Sequence, residues 1–156
     1  MTPPPLSTLT GLIESCRSHP PDPPNILHAL LTIHEAYGYV PAGAVSSIAH
    51  VLGVTEADVA GVLSYYPDLR TAPAGRHLVR VCIGEACWAN RGHRVLQAVQ
   101  QSLRVGAGGT TDEGGWTLET VYCVGNCGVS PTVVIDDDVH GRVAPEQVPA
   151  LLERYR

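Results

Sequence analysis

The stretch His77-Leu78-Val79-Arg80-Val81-Cys82 alternates between apolar and polar positions and ends on a cysteine. A period of two is what a strand with one buried face requires, because successive side chains point to opposite sides of a sheet. Thr117-Leu118-Glu119-Thr120-Val121-Tyr122-Cys123 repeats both features, and Thr132–Ile135 reads as a third strand. Between the first two lies a helical pattern, Arg91–Leu103, with Val95, Leu96, Val99 and Leu103 turned inward, then a glycine-rich loop, Gly106–Gly115. After the third strand, His140-Gly141 reads as a tight turn into a short edge strand at Arg142–Val143, and Pro145 opens a last helix to Tyr155. The order strand, helix, strand, strand, helix predicts a small α/β sandwich with helices packed on one sheet.

Upstream of Arg70–Gly75 the pattern is helical throughout. A first helix is predicted from Ser7 to Arg17, with Leu9, Leu12, Ile13 and Cys16 on one face, and Pro20-Pro21-Asp22-Pro23-Pro24 breaks it. Asn25 caps a second helix whose stripe is Ile26, Leu27, Leu30, Ile33 and Tyr37, ended by Gly38. Pro41 suits the first turn of a third, carrying Val45, Ile48, Ala49 and Leu52 and stopped by Gly53. Thr55 with Asp58 resembles a capping box and opens a fourth through Val59, Val62 and Leu63, closed by Pro67. The expected division is a helical domain, residues 1–72, followed by an α/β domain, residues 73–156.

Composition sets outer limits. The chain has 156 residues, 44% apolar, and a net charge of −5, so no basic surface is large enough to hold a nucleic-acid backbone. No run approaches the roughly 20 apolar residues of a membrane span. Met1–Thr10 lacks the basic and apolar regions of a signal peptide, and a soluble, cytoplasmic protein is expected. In a reducing compartment, paired cysteines hold metal more often than they form structural disulfides.

Four of the five cysteines form two pairs, Cys82-x4-Cys87 and Cys123-x3-Cys127, each following a predicted strand. Ends of strands in one sheet lie a few ångströms apart, so the two loops can converge on one point. Gly84, Gly125 and Gly128 let the backbone wrap a bulky anionic cofactor and aim N–H groups at its sulfurs. Cys87-Trp88 and Cys127-Gly128 supply apolar or small neighbours to limit water. Zinc knuckles favour two-residue gaps, which neither pair has, and a thiol–disulfide oxidoreductase wants Cys-x-x-Cys ahead of a helix. Two-and-two spacing favours two irons over a four-iron cluster, whose ligands usually come from a compact run. A zinc-stabilised adaptor without redox chemistry stands as the competing reading.

The layout Cys82-x4-Cys87 … Cys123-x3-Cys127 resembles the thioredoxin-like [2Fe–2S] ferredoxin family, which includes the 24-kDa subunit of respiratory complex I and subunits of NAD-reducing hydrogenases and NAD-dependent formate dehydrogenases. Further likeness lies in Ile33-His34-Glu35-Ala36-Tyr37-Gly38-Tyr39-Val40-Pro41, in Gly75-Arg76-His77, in Gly109-Thr110-Thr111-Asp112 and in Tyr122-Cys123-Val124-Gly125-Asn126-Cys127. The resemblance implies an N-terminal helical bundle before a thioredoxin-like domain of the α/β (α+β) class. It also implies one [2Fe–2S] cluster, with Cys82 and Cys87 on one iron and Cys123 and Cys127 on the other. Gly84-Glu85-Ala86-Cys87 looks most like the formate dehydrogenase gamma subunit. By that likeness the partners are an FMN- and NAD-binding flavoprotein and a molybdenum- or tungsten-containing catalytic subunit, which would hold FMN, NAD and the metal cofactor. The chain itself carries no nucleotide motif and no paired catalytic acids, so no catalytic residue is assigned. One departure is Ser64–Arg70, a segment that in relatives carries phenylalanine and often a histidine, where Tyr66, Pro67 and Leu69 here keep bulk but change shape.

The remaining polar residues have plainer expected roles. Cys16 reads as a core thiol rather than a fifth ligand. His34 and Glu35 are neighbours on a helix and point about 100° apart, so they make no working acid–base pair. Arg80, Arg91, His93 and Arg94 are expected around the first cysteine pair, either offsetting cluster charge or meeting an acidic partner, or equally as plain solvated surface. Asp136-Asp137-Asp138 reads as an exposed turn between strands, without the spaced ligands of a calcium loop.

Overall fold

In the computed structural model, which describes residues 6–14 and 25–155, the chain divides into two units, Met1–Pro73 and Ala74–Arg156. The first holds helices α1 (Leu6–Glu14), α2 (Ile26–Tyr37), α3 (Gly43–Leu52) and α4 (Glu56–Tyr65). Helices this short are marginal in isolation, so packing has to hold them. Leu9, Ile13, Leu30, Ile33, Ile48 and Val59 supply it, each essentially inaccessible to solvent. Burying one such side chain is worth roughly 1.5–3 kcal/mol.

The helix ends follow local chemistry. Asn25 Oδ1 accepts the His28 amide at 2.9 Å and starts α2. Gly38 stops it in the left-handed region, φ 75°, its N–H bonded to the His34 carbonyl. Thr55 and Asp58 close a reciprocal capping box at α4: the Asp58 amide donates to Thr55 Oγ1 and the Thr55 amide to Asp58 Oδ2, each at 3.1 Å. The Val40 amide donates to the Arg70 carbonyl at 2.7 Å, and Leu69 beside it joins the helical core. Cys16 and the proline run 20–24 lie outside the described residues.

The second unit is a four-stranded sheet in the order β2-β1-β3-β4, with β1 His77–Cys82, β2 Trp116–Val121, β3 Val133–Ile135 and β4 Asp138–His140. β1 and β2 run parallel, in register from His77 opposite Trp116 to Cys82 opposite Val121. A parallel pair needs a long crossover, and the connection contains α5 (Glu85–Ala89) and α6 (Gly92–Leu103). β3 lies antiparallel on the other side of β1. Val95 and Val99 of α6 and Val148 and Leu152 of α7 (Val148–Glu153) share one core with Val79, Val81, Leu118, Val133 and Ile135.

Three expectations are corrected. The edge strand is Asp138–His140, not Arg142–Val143, and the turn before it is Asp136-Asp137. Asp136 takes the left-handed turn position at φ 53°, which a short polar side chain tolerates, and its carboxylate is fixed by the Leu78 amide at 2.9 Å and by His77. The Arg142 and Val143 amides bond instead to the carbonyls of Val129 and Pro131, binding that segment to a loop. Second, β2 ends at Val121, so Cys123 lies beyond the strand. Third, α5 interrupts what reads in sequence as a loop, and it carries Cys87.

Candidate metal centre

Cys82 is the last residue of β1, an interior strand of the sheet. Its amide donates to the Thr132 carbonyl at 3.1 Å, and its thiol faces the Tyr122 carbonyl at 3.9 Å. The chain then passes Gly84, which packs directly on the Tyr122 carbonyl, with Cys123 Cβ 3.6 Å from where a side-chain carbon would stand. A residue with a Cβ would press on backbone there, so glycine lets the two cysteine loops meet. One turn on, α5 returns Cys87 to the interior. Cys82 and Cys87 are both 2% exposed, and their thiols share a hydrogen bond.

The second pair sits at the surface. Cys123 and Cys127 are exposed, with their sulfurs 3.8 Å apart. A disulfide needs about 2.05 Å. Two thiolates on one tetrahedral metal, each bond about 2.3 Å long, lie about 3.8 Å apart. The contact is a thiol–thiol hydrogen bond, at a spacing that two ligands of one tetrahedral metal also adopt. Gly125, at φ 79°, turns the loop and donates its N–H to Cys123 Sγ at 3.3 Å, a bond that stabilises the thiolate.

Protonation follows from these surroundings. Burial pushes the Cys87 thiol up, the shared bond and charge of Cys82 push it further, and a hydrogen bond from the Thr132 backbone pulls the other way. The Cys127 thiol is also raised, first by its hydrogen bond to Cys123 and then by repulsion from it. Thiols held protonated by one another release protons when a cation arrives. Among the described residues no three His, Cys, Asp or Glu side chains gather as ligands of a single ion. The thiols gather two and two, the donor set of a two-iron rhomb.

Other expectations fare unevenly. Arg80 does not face the cysteines: its Nη2 donates to the Asp136 carbonyl at 3.2 Å. His93 packs its ring on Trp88, centroids 5.4 Å apart, while Arg91 and Arg94 line a cavity beside the cysteine loops. His34 closes α2 through its carbonyl beside the exposed Glu35. Trp88 and Tyr122, which flank Cys87 and Cys123, are 53% and 80% exposed, while Cys87 itself is buried. Thr132 and the pair Asn90–Ser130 were not legible as site residues. Thr132 touches both buried cysteines, and Asn90 Nδ2 donates to Ser130 Oγ at 2.8 Å between the two loops. Their one signal is position, since each follows a cysteine pair by a few residues.

The chain matches the thioredoxin-like [2Fe–2S] ferredoxin family over residues 13–156. It is 41% identical over 129 residues to the E-type subunit of NADH-quinone oxidoreductase from Pseudomonas aeruginosa, covering 83% of this chain and 78% of that one. It is 32% identical over 131 residues to the HndA subunit of the NADP-reducing hydrogenase from Solidesulfovibrio fructosivorans, covering 82% and 77%. Among solved structures, an air-oxidized NAD+-reducing [NiFe]-hydrogenase shares the fold, with a TM-score of 0.66 at 16% identity over 81% of this chain and 22% of that chain. This chain thus spans about a fifth of that hydrogenase chain. No helix among the described residues is long and apolar enough to cross a membrane. The extent of the family match and the identity to curated relatives establish that this chain belongs to the thioredoxin-like [2Fe–2S] ferredoxin family and carries that family's [2Fe–2S] cluster.

Proposed function

We propose that this chain is an electron-transfer subunit of a multi-subunit NAD-linked oxidoreductase, with Cys82 and Cys87 holding one iron and Cys123 and Cys127 the other. The observation that carries the ligand assignment is the two-and-two placement of thiols, one pair buried and one exposed with sulfurs 3.8 Å apart. When bound, the cluster supplies one-electron redox chemistry. The protein's part is positional. The last residue of β1 and the short helix α5 fix the buried pair and keep water from it, and the Gly125 N–H stabilises the Cys123 thiolate. The exposed pair leaves one side of the site open to a redox partner.

The finer reading is the gamma-type subunit of an NAD-dependent formate dehydrogenase, exchanging electrons with an FMN- and NAD-binding flavoprotein beside a molybdenum- or tungsten-containing catalytic subunit. Its support is the Gly84-Glu85-Ala86-Cys87 segment. A second reading, a subunit of complex I or of a hydrogenase, is favoured by the likeness to the NADH-quinone oxidoreductase subunit and to HndA. Two measurements test these readings. A red-brown protein with two irons per chain and a rhombic signal after dithionite supports the cluster, and alanine at each of the four cysteines should abolish it. Colourless protein with stoichiometric zinc would overturn electron transfer. Purifying the native assembly and assaying NAD reduction by formate, NAD(P) reduction by hydrogen and quinone reduction by NADH then separates the parent complexes.

A further inference from the structure

Beside the cysteine loops lies a cavity of about 250 Å³ that the electron-transfer reading leaves without a role. Arg91, Arg94 and Arg142 line it, together with Asn90, Ser130 and a single carboxylate, Glu146. The chain's ten basic residues are all arginine, so three of the ten meet at this one place. All three are exposed, and among the described residues none of their guanidiniums is paired with a carboxylate.

Backbone conformation supplies an independent observation. Arg91 and Arg142 stand at φ 69° and 54°, in the left-handed region where glycine is the unstrained residue. Two of the four described non-glycine residues with positive φ therefore line a single cavity. Strain of this kind persists where the surrounding structure enforces it, and it concentrates at binding sites and clamps. The first turn of α6, whose N-cap Arg91 makes no side-chain hydrogen bond, adds charge of the same sign.

We propose that this cavity is the seat for a carboxylate-bearing segment of the protein that exchanges electrons with this chain, an assignment that rests on the electron-transfer reading. Exposed guanidiniums hold a single small anion weakly in water. A segment presenting several carboxylates engages three of them at once, and arginine binds each carboxylate through two parallel hydrogen bonds. With a net charge of −5, the chain as a whole repels an acidic partner, so an arginine patch orients the approach as well as holding it. The location fits the same role. The lining of the cavity includes both partners of the Asn90–Ser130 bond, which joins the segments following Cys87 and Cys127. A partner seated there lies against both cysteine loops.

The test uses the full chain with its cluster and a labelled oligoglutamate peptide, with binding read by fluorescence anisotropy at low and high salt. The R91G/R142G double variant puts glycine where the backbone already favours it, so the fold is retained. The expected result is salt-sensitive binding that weakens about tenfold in the double variant, with the visible spectrum unchanged. Equal binding by both proteins, or none by the wild type, would overturn the proposal. So would displacement of the peptide by inorganic phosphate at the same concentration, which would make this a free-anion site. Iron content and colour, read on the same samples, report on electron transfer separately. A colourless sample overturns that reading and the identity of the occupant with it, whereas arginine-independent binding in a red-brown sample overturns only the docking site.

Discussion

Asn90 and Ser130 are joined by a 2.8 Å hydrogen bond from amide to hydroxyl, and each stands three residues beyond a cysteine, Cys87 and Cys127. Asn90 Nδ2 also donates to the Ala86 carbonyl at 2.9 Å, so one side chain closes α5 and ties it to the loop carrying the other thiol pair. On the proposed ligand assignment each pair would hold one iron, and this bond ties together the two segments that carry the pairs.

Asn90→Ala should therefore lower stability by about 1 kcal/mol, the net worth of a typical hydrogen bond. Its larger expected effect is on cluster lifetime. Visible absorbance should bleach faster than in the wild type when a chelator is added, and an unchanged bleaching rate would remove Asn90 from the site.

Arg104 ends α6 at φ 55°, a conformation in which an L side chain is strained. Arg104→Gly should stabilise the protein by about 0.5–1 kcal/mol, the strain relieved being partly offset by greater freedom of the unfolded chain. A higher urea midpoint with an unchanged slope is the expected observation.

Leu118, wholly inaccessible to solvent on β2, lies opposite Val79 of β1 and packs in the sheet–helix core. Leu118→Ala should cost about 2–5 kcal/mol through lost burial and the cavity left behind. Because β2 leads to Cys123, the variant should also show reduced iron content after purification, measured per folded chain.

Asp136 links the turn before β4 to the start of β1. Burial alone would raise its carboxyl, but the His77 side chain at 2.8 Å, the Leu78 amide and the charges of His77 and Arg80 together hold it below the ordinary 3.8. A folded carboxyl that ionises at lower pH than the unfolded one adds stability above about pH 3.8, and that stability is lost as pH falls through the lowered folded value. Asp136→Asn should accordingly be less stable than the wild type near neutral pH, and the two curves should converge in acid. Cluster loss in acid is common to both proteins and cancels in the difference. Curves that stay parallel down to low pH would contradict this account.

Much of this molecule is legible in order along the chain. Helices α2, α3 and α4 announce themselves through Asn25, Gly38, Gly53 and the Thr55–Asp58 box, because capping is a local reaction between a backbone end and a nearby side chain. β1 and α6 are equally local, written in periods of two and of one helical turn. The five-residue α5 was not legible, since a single turn has no period to detect and is held by packing on α6 and by the Asn90–Ser130 bond. The turn at Asp136 was legible but the edge strand after it was misplaced, because Asp138–His140 is too short to show a period and Arg142–Val143 bonds to the Val129 and Pro131 carbonyls instead. Likewise, nothing local marks Arg142 as a neighbour of Arg91 and Arg94.

By itself the sequence determined the class of fold, the four thiols and their grouping, since strand periodicity and cysteine spacing are properties of short segments. Tertiary structure decided which pair is buried and which exposed, and how far apart the outer sulfurs stand. It also decided that Thr132 and the Asn90–Ser130 bond brace the two loops. Those outcomes depend on the parallel pairing of β1 with β2 and on the crossover between them, which bring Cys82 and Cys123 to the same end of the sheet. No local interaction encodes that meeting, because it is fixed only when separated apolar faces close on a common core.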